Sequence, residues 1–176
     1  MQILDEFGLP DLTMRRLAAA LDIQPSALYW HFPNKQSLLA ELSDRIVAQT
    51  DAVPADQSWT MRVGSEASAL REALLAHRDG AEVVASTFAL GLGSSLARDR
   101  LGAAVSAGGF DDDTVQRATT ALLHFMLGHV LHEQQQTQYD RLGVRGSGAE
   151  RSTGEAAGAD FAFGVDLLVA GLQARR

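Results

Sequence analysis

No cysteine occurs among the 176 residues, which excludes disulfides, thiolate zinc sites and cysteine nucleophiles. Prolines number only four and aromatic residues make up 6%, so helix breakers are rare. Long apolar runs are missing too: each is broken by His, Gly or charge well before about 18 residues, too short to cross a bilayer. No basic segment followed by an apolar one opens the chain, and the expectation is a soluble cytoplasmic protein. Positive charge is scarce, with 15 Lys+Arg against 22 Asp+Glu and a net charge of −7. A chain this acidic does not attract polyanions indiscriminately, so any nucleic-acid contact requires a local basic face.

What is present is ordinary globular material, 46% hydrophobic and 21% charged, arranged with apolar spacings of three and four. That periodicity predicts an all-α protein. Ile3 to Gly8 reads as the last turns of a helix stopped by glycine. Thr13 caps a helix over Met14–Leu21, and Asp22-Ile23-Gln24 is a tight connection. Pro25 opens a short helix running through Phe32. Asn34 caps a longer one, striped by Leu38, Leu39, Leu42, Ile46 and Val47, that ends near Thr50. Asp51–Ser58 divides a small head, residues 1–50, from a larger body, residues 51–176. Body helices are expected over Trp59–His77, Ala81–Leu90, a short segment ending at Val105, Thr114–Gln136 and Asp160–Ala174. The Gly/Ser-rich stretch Tyr139–Gly158 reads as a surface loop. The last helix and the middle of Thr114–Gln136 are apolar nearly all round, so each needs cover on more than one side. A body of a few short helices can hardly surround both, and pairing with the same two helices of a second copy is the expected solution.

Function concentrates in the head. Leu12–Lys35 carries Arg15, Arg16 and Lys35 against one acid, Asp22, for a local charge of +2 on an otherwise acidic chain. A helix, a tight turn and a second helix bearing Tyr29, Trp30 and His31 form the arrangement of a helix-turn-helix reader. Four bulky residues in a row, Tyr29 to Phe32, cannot all face inward on one helix.

Leu12-Thr13-Met14-Arg15-Arg16-Leu17-Ala18 and Pro25-Ser26-Ala27-Leu28-Tyr29-Trp30-His31-Phe32-Pro33-Asn34-Lys35 resemble the DNA-binding head of TetR-family repressors. The body is similar to that of the tetracycline repressors within the family, at Ala73–Ala81, His124–Gly128 and Phe161–Val165. The resemblance implies an all-α homodimer, joined by a four-helix bundle, that binds a double-stranded DNA operator through paired heads and is released by a small-molecule effector. It places Thr13, Arg15, Arg16, Pro25, Ser26, Ala27, Tyr29, Trp30, His31 and Lys35 at the duplex. Phosphate contacts fix register, while base edges carry the sequence information. Effector positions implied by the same resemblance are Thr50, Glu66, Leu70, Val84, Thr87 and Thr120, with His124 and His132 nearby.

The sequence departs from tetracycline recognition at the magnesium-holding positions, which fall on Val84 and His132. Magnesium demands oxygen ligands; a valine supplies none. The drug-contacting asparagine falls on Glu66 and a pocket histidine on Thr50, so tetracycline–Mg is not the expected effector. The first helix is also shorter than the resemblance implies. Either the native start lies upstream of Met1, or the head is incomplete and the chain is a small-molecule sequestering protein that binds DNA weakly.

Other motifs carry less. His124, His129, His132 and Glu133 lack the His-Glu-x-x-His spacing of a zinc helix, and no metal site is expected. His77-Arg78-Asp79-Gly80 reads as the end of one helix and the cap of the next, with no nucleophile beside it. Gly91-Leu92-Gly93 lacks the third glycine and the preceding strand of a dinucleotide loop and reads as a hinge. Asp111–Asp113 place negative charge at a helix N-terminus. No arrangement for catalysis and no cofactor motif is present.

Overall fold

A computed structural model describes residues 1–50, 54, 56–93, 95–143 and 154–175. Among them every regular element is helical: α1 (Gln2–Phe7), α2 (Met14–Ala20), α3 (Pro25–His31), α4 (Lys35–Val47), α5 (Trp59–Leu75), α6 (Gly80–Ala89), α7 (Ser95–Ser106), α8 (Asp112–Arg141) and α9 (Gly154–Gln173).

Local chemistry sets most of the boundaries. The Thr13 hydroxyl accepts the Arg16 amide at 3.1 Å, and Asn34 Oδ1 accepts that of Ser37 at 2.8 Å, so each satisfies an otherwise orphaned donor of a first turn. Ser58 does the same for α5 through Met61. Asp111 caps α8, accepting the Thr114 amide at 2.7 Å, and the backbone and hydroxyl of Thr114 hold its carboxyl below the usual carboxylate range. Between α2 and α3, Asp22 takes a left-handed φ of 53°, which turns the chain within three residues.

Helices α1–α4 lie within residues 1–50, the segment expected to be the head. Of these, α4 packs chiefly on α6, with α5 and α7 beside it. One apolar cluster runs unbroken from Leu4, Leu12 and Leu28 in the head through Ile46, Leu74, Leu101 and Met126 to Phe161 and Val169. At the junction of α5, α6 and α8, the part-buried Gln134 side chain donates to the Leu74 and His77 carbonyls and accepts the Ala81 amide. It thereby satisfies the end of α5 and the start of α6 together. Gly164 lets α9 approach α8 closely, since a methyl group there would collide with the Phe125 ring.

Two expected boundaries are corrected. Helix α8 continues to Arg141 and α9 already begins at Gly154, so the two ends of Tyr139–Gly158 are helical; residues 144–153 lie outside the described set, as do 51–53 and 55 of the connection after α4. The start of α9 is held from outside, by a 3.2 Å contact between His129 Nε2 and the Ala157 carbonyl. That contact is invisible to local propensity. Within one chain α9 is covered on one side: Phe161, Val165 and Val169 are buried, whereas Phe163 is 66% and Leu167 58% exposed.

Candidate nucleic-acid interface and effector cavity

Helix α3 projects its polar and aromatic face away from the core. Leu28 is buried and Phe32 packs against the apolar cluster, but Tyr29 is 50% and Trp30 88% exposed. His31 and the N-terminal Pro25, Ser26 and Ala27 are exposed as well, as are Thr13 and Arg15. All eight of these expected duplex residues are exposed. Arg16 and Lys35 lie differently. The Arg16 guanidinium pairs with Asp11 at 3.2 Å and lies 4.4 Å over the Phe7 ring. Lys35 Nζ donates to the Leu9 carbonyl at 3.3 Å.

The head is clamped to the body by residues whose role the sequence did not disclose. Asp79 holds the N-cap position of α6, yet its carboxylate makes no cap bond; Oδ2 accepts the Leu9 amide at 2.8 Å instead. This corrects the capping role expected of His77–Gly80. Asp5 contacts His77 Nδ1 at 3.0 Å, and Arg78 Nη1 donates to the Glu6 carbonyl at 3.0 Å. His77 Nε2 in turn meets Gln49, next to the end of α4. A carboxylate that could bond its own helix or a segment 70 residues away carries no local sign of the choice.

Three of the expected effector residues, Thr50, Glu66 and Leu70, line one internal cavity with Val47, Ala97, Arg100, Leu101 and Met126. Its free volume is only about 10 Å³. The space is taken by Arg100, whose Nε meets Glu66 Oε2 at 2.9 Å and whose Nη1 donates to the Thr50 carbonyl at 2.9 Å and to its hydroxyl. The two side chains of this ion pair are only 18% and 12% exposed. Val84 and Thr87 are buried on α6, Thr87 bonding its own helix at the Val83 and Val84 carbonyls. Thr120 bonds the Gln116 carbonyl, His124 stacks edge-on against Phe88, and the exposed His132 contacts Gln136; the cavity lining includes none of these five. Arg100 was missed by sequence reading. It follows Ala97 by three and precedes Leu101, on the margin of a buried stripe, and that placement is the only local signal of an inward arginine.

Glu133 accepts Arg71 through both oxygens, at 3.2 and 2.6 Å. Helices α8 and α9 leave an open groove of about 420 Å³ between them, floored by Leu122, Leu168 and Leu172 and edged by Leu167. No helix of the described residues is long and apolar enough to cross a membrane.

Comparison with known proteins bears on both ends of the chain. Residues 1–42 match the family model for bacterial regulatory proteins of the tetR family, and residues 53–155 that for the tetracyclin repressor-like C-terminal domain. The class A tetracycline repressor from transposon 1721 of Escherichia coli is 35% identical over 192 residues, covering 100% of this chain and 88% of that protein. The crystal structure of Mycobacterium smegmatis BioQ superposes with a TM-score of 0.88 at 40% identity, covering 99% of this chain and 93% of that one. A BioQ structure with its natural double-stranded DNA operator superposes with a TM-score of 0.81 at 39% identity, covering 97% and 91%.

Proposed function

This chain belongs to the TetR family of bacterial regulatory proteins, and we propose that it is a dimeric repressor whose two heads grip a palindromic operator until a small molecule in the body releases it. It is a transcriptional regulator, not an enzyme. The observation that carries the reading is Trp30, a large indole 88% exposed at the tip of a helix-turn-helix. Water is a poor environment for such a side chain, and beside exposed Tyr29, His31 and Arg15 it forms a face made for a partner. The similarity to a protein solved on its own operator supports duplex DNA as that partner.

Dimerisation is supported by Phe163 and Leu167, whose apolar exposure beside the α8–α9 groove offers a self-complementary surface to a second copy. Two heads related in this way would read half-sites one helical turn apart, about 34–36 Å. Tetracycline–Mg is not the effector in this reading: a buried valine stands at a magnesium position and Glu66 is already paired with Arg100.

Operator selection from random duplex with the purified full chain tests the proposal. A palindromic consensus is expected, bound with an affinity that falls steeply as salt rises. Trp30→Ala should lose the operator while its melting temperature stays unchanged. Recovery of no enriched duplex, or full operator binding by the Trp30 variant, refutes the reading. Sub-micromolar binding of tetracycline with Mg²⁺ would refute the statement about the effector.

A further inference from the structure

We propose that the effector is a small amphipathic monocarboxylate whose carboxylate takes Arg100 from Glu66 and Thr50; the inference rests on the repressor reading and names its ligand class. A free volume of about 10 Å³ holds roughly one water. Any ligand of this cavity must therefore displace something, and Arg100 is the long, flexible side chain that fills it. Once moved, a guanidinium in a largely dry site needs a new anionic partner, because an unpaired charge there is strongly unfavourable. An alcohol provides a weaker partner, and an amine repels it.

The local charge balance points the same way. Glu66 faces Arg100 directly, and Arg62 lies one turn before Glu66 on α5 with a buried Nε that has no hydrogen-bond partner among the described residues. Arg62 and Glu66 are i, i+4 neighbours on one helix face, so Glu66 keeps a cation within reach when Arg100 turns to a ligand. The rest of the lining, including Val47, Leu70, Leu101 and Met126, is apolar and suits a hydrocarbon or aryl body. Arg100 also joins α7 to the turn that follows α4, three residues past the end of that helix at Val47, through the Thr50 carbonyl. Transfer of Arg100 to a ligand releases that tie, which couples occupancy of the cavity to the position of the head.

Isothermal calorimetry on the full chain provides the test, with butyrate, hexanoate, octanoate and phenylbutyrate as probes, each beside its alcohol and amine of equal length. Carboxylates are expected to bind at least tenfold tighter than their neutral and cationic counterparts. Arg100→Gln should abolish that preference and Arg100→Lys retain part of it. Melting curves identify any variant that fails to fold, and in that case the lysine variant alone decides. On a selected operator, octanoate should weaken binding by the wild type. Ligand-free Arg100→Gln should bind about tenfold more weakly than the wild type and respond no further. The proposal is overturned if no carboxylate binds, if alcohols or amines bind equally well, or if Arg100→Gln binds octanoate like the wild type. A chain that holds an operator yet ignores every carboxylate refutes only this inference. One that selects no duplex refutes the repressor reading, whatever calorimetry reports.

Discussion

Gly8→Ala probes the joint between head and body. Gly8 sits at φ 84°, ψ 174°, a conformation that is essentially reserved for glycine and costs another residue about 1–3 kcal/mol. A methyl group there would also stand 2.7 Å from Asp79 Oδ2 and 3.0 Å from Arg78 Nε. Asp79 cannot yield without giving up the amide of Leu9, a charge-assisted bond worth roughly 1.5–3 kcal/mol. The two effects together come to about 4 kcal/mol, or on the order of 10 °C in melting temperature for a chain of this length. Scanning calorimetry at fixed protein concentration, needed because association shifts the midpoint, measures it. Asp79→Asn serves as the control: it keeps an acceptor for Leu9 and introduces no backbone strain, so its loss should be a fraction of the first. If Gly8→Ala melts within about 2 °C of the wild type, or Asp79→Asn falls as far, the joint is not held as described.

Glu133→Gln leaves the largely buried Arg71 guanidinium without its anion, so urea unfolding should register a loss near 3 kcal/mol with an unchanged m-value. Replacing both partners, Arg71→Met with Glu133→Leu, should restore most of it. Leu167→Asp places a charge in the exposed apolar strip of α9; light scattering should then report a monomer where the wild type gives a dimer. Asp111 is depressed by its bonds to Thr114, so its stabilising effect is complete above the unfolded carboxylate pKa, near 3.9, and fades as pH drops through the lower folded value. Acid titration of stability should show D111N trailing the wild type at pH 7 and converging with it below about pH 4; parallel curves would contradict the cap.

The helices and several of their caps were legible because their causes are local. Thr13 and Asn34 bond amides three residues away, and the stripe Leu38, Leu39, Leu42, Ile46 and Val47 lies on one buried face of a single helix. The outward turn of Tyr29 and Trp30 follows from the same geometry, since α3 has one buried residue, Leu28, and a narrow inward face. Packing alone decided the rest. Whether α9 begins at Gly154 depends on what α8 presents to it. Whether Asp79 caps its own helix or grips Leu9 depends on where the head comes to lie. The inward course of Arg100 exists only because Glu66 and Thr50 arrive from other helices to neutralise and bond it, and a charged residue among alternating polar neighbours gives no hint of partners 34 and 50 residues away. Short-range hydrogen bonding and periodicity are written along the chain; the pairing of distant charges is settled only when burial removes water as their alternative partner.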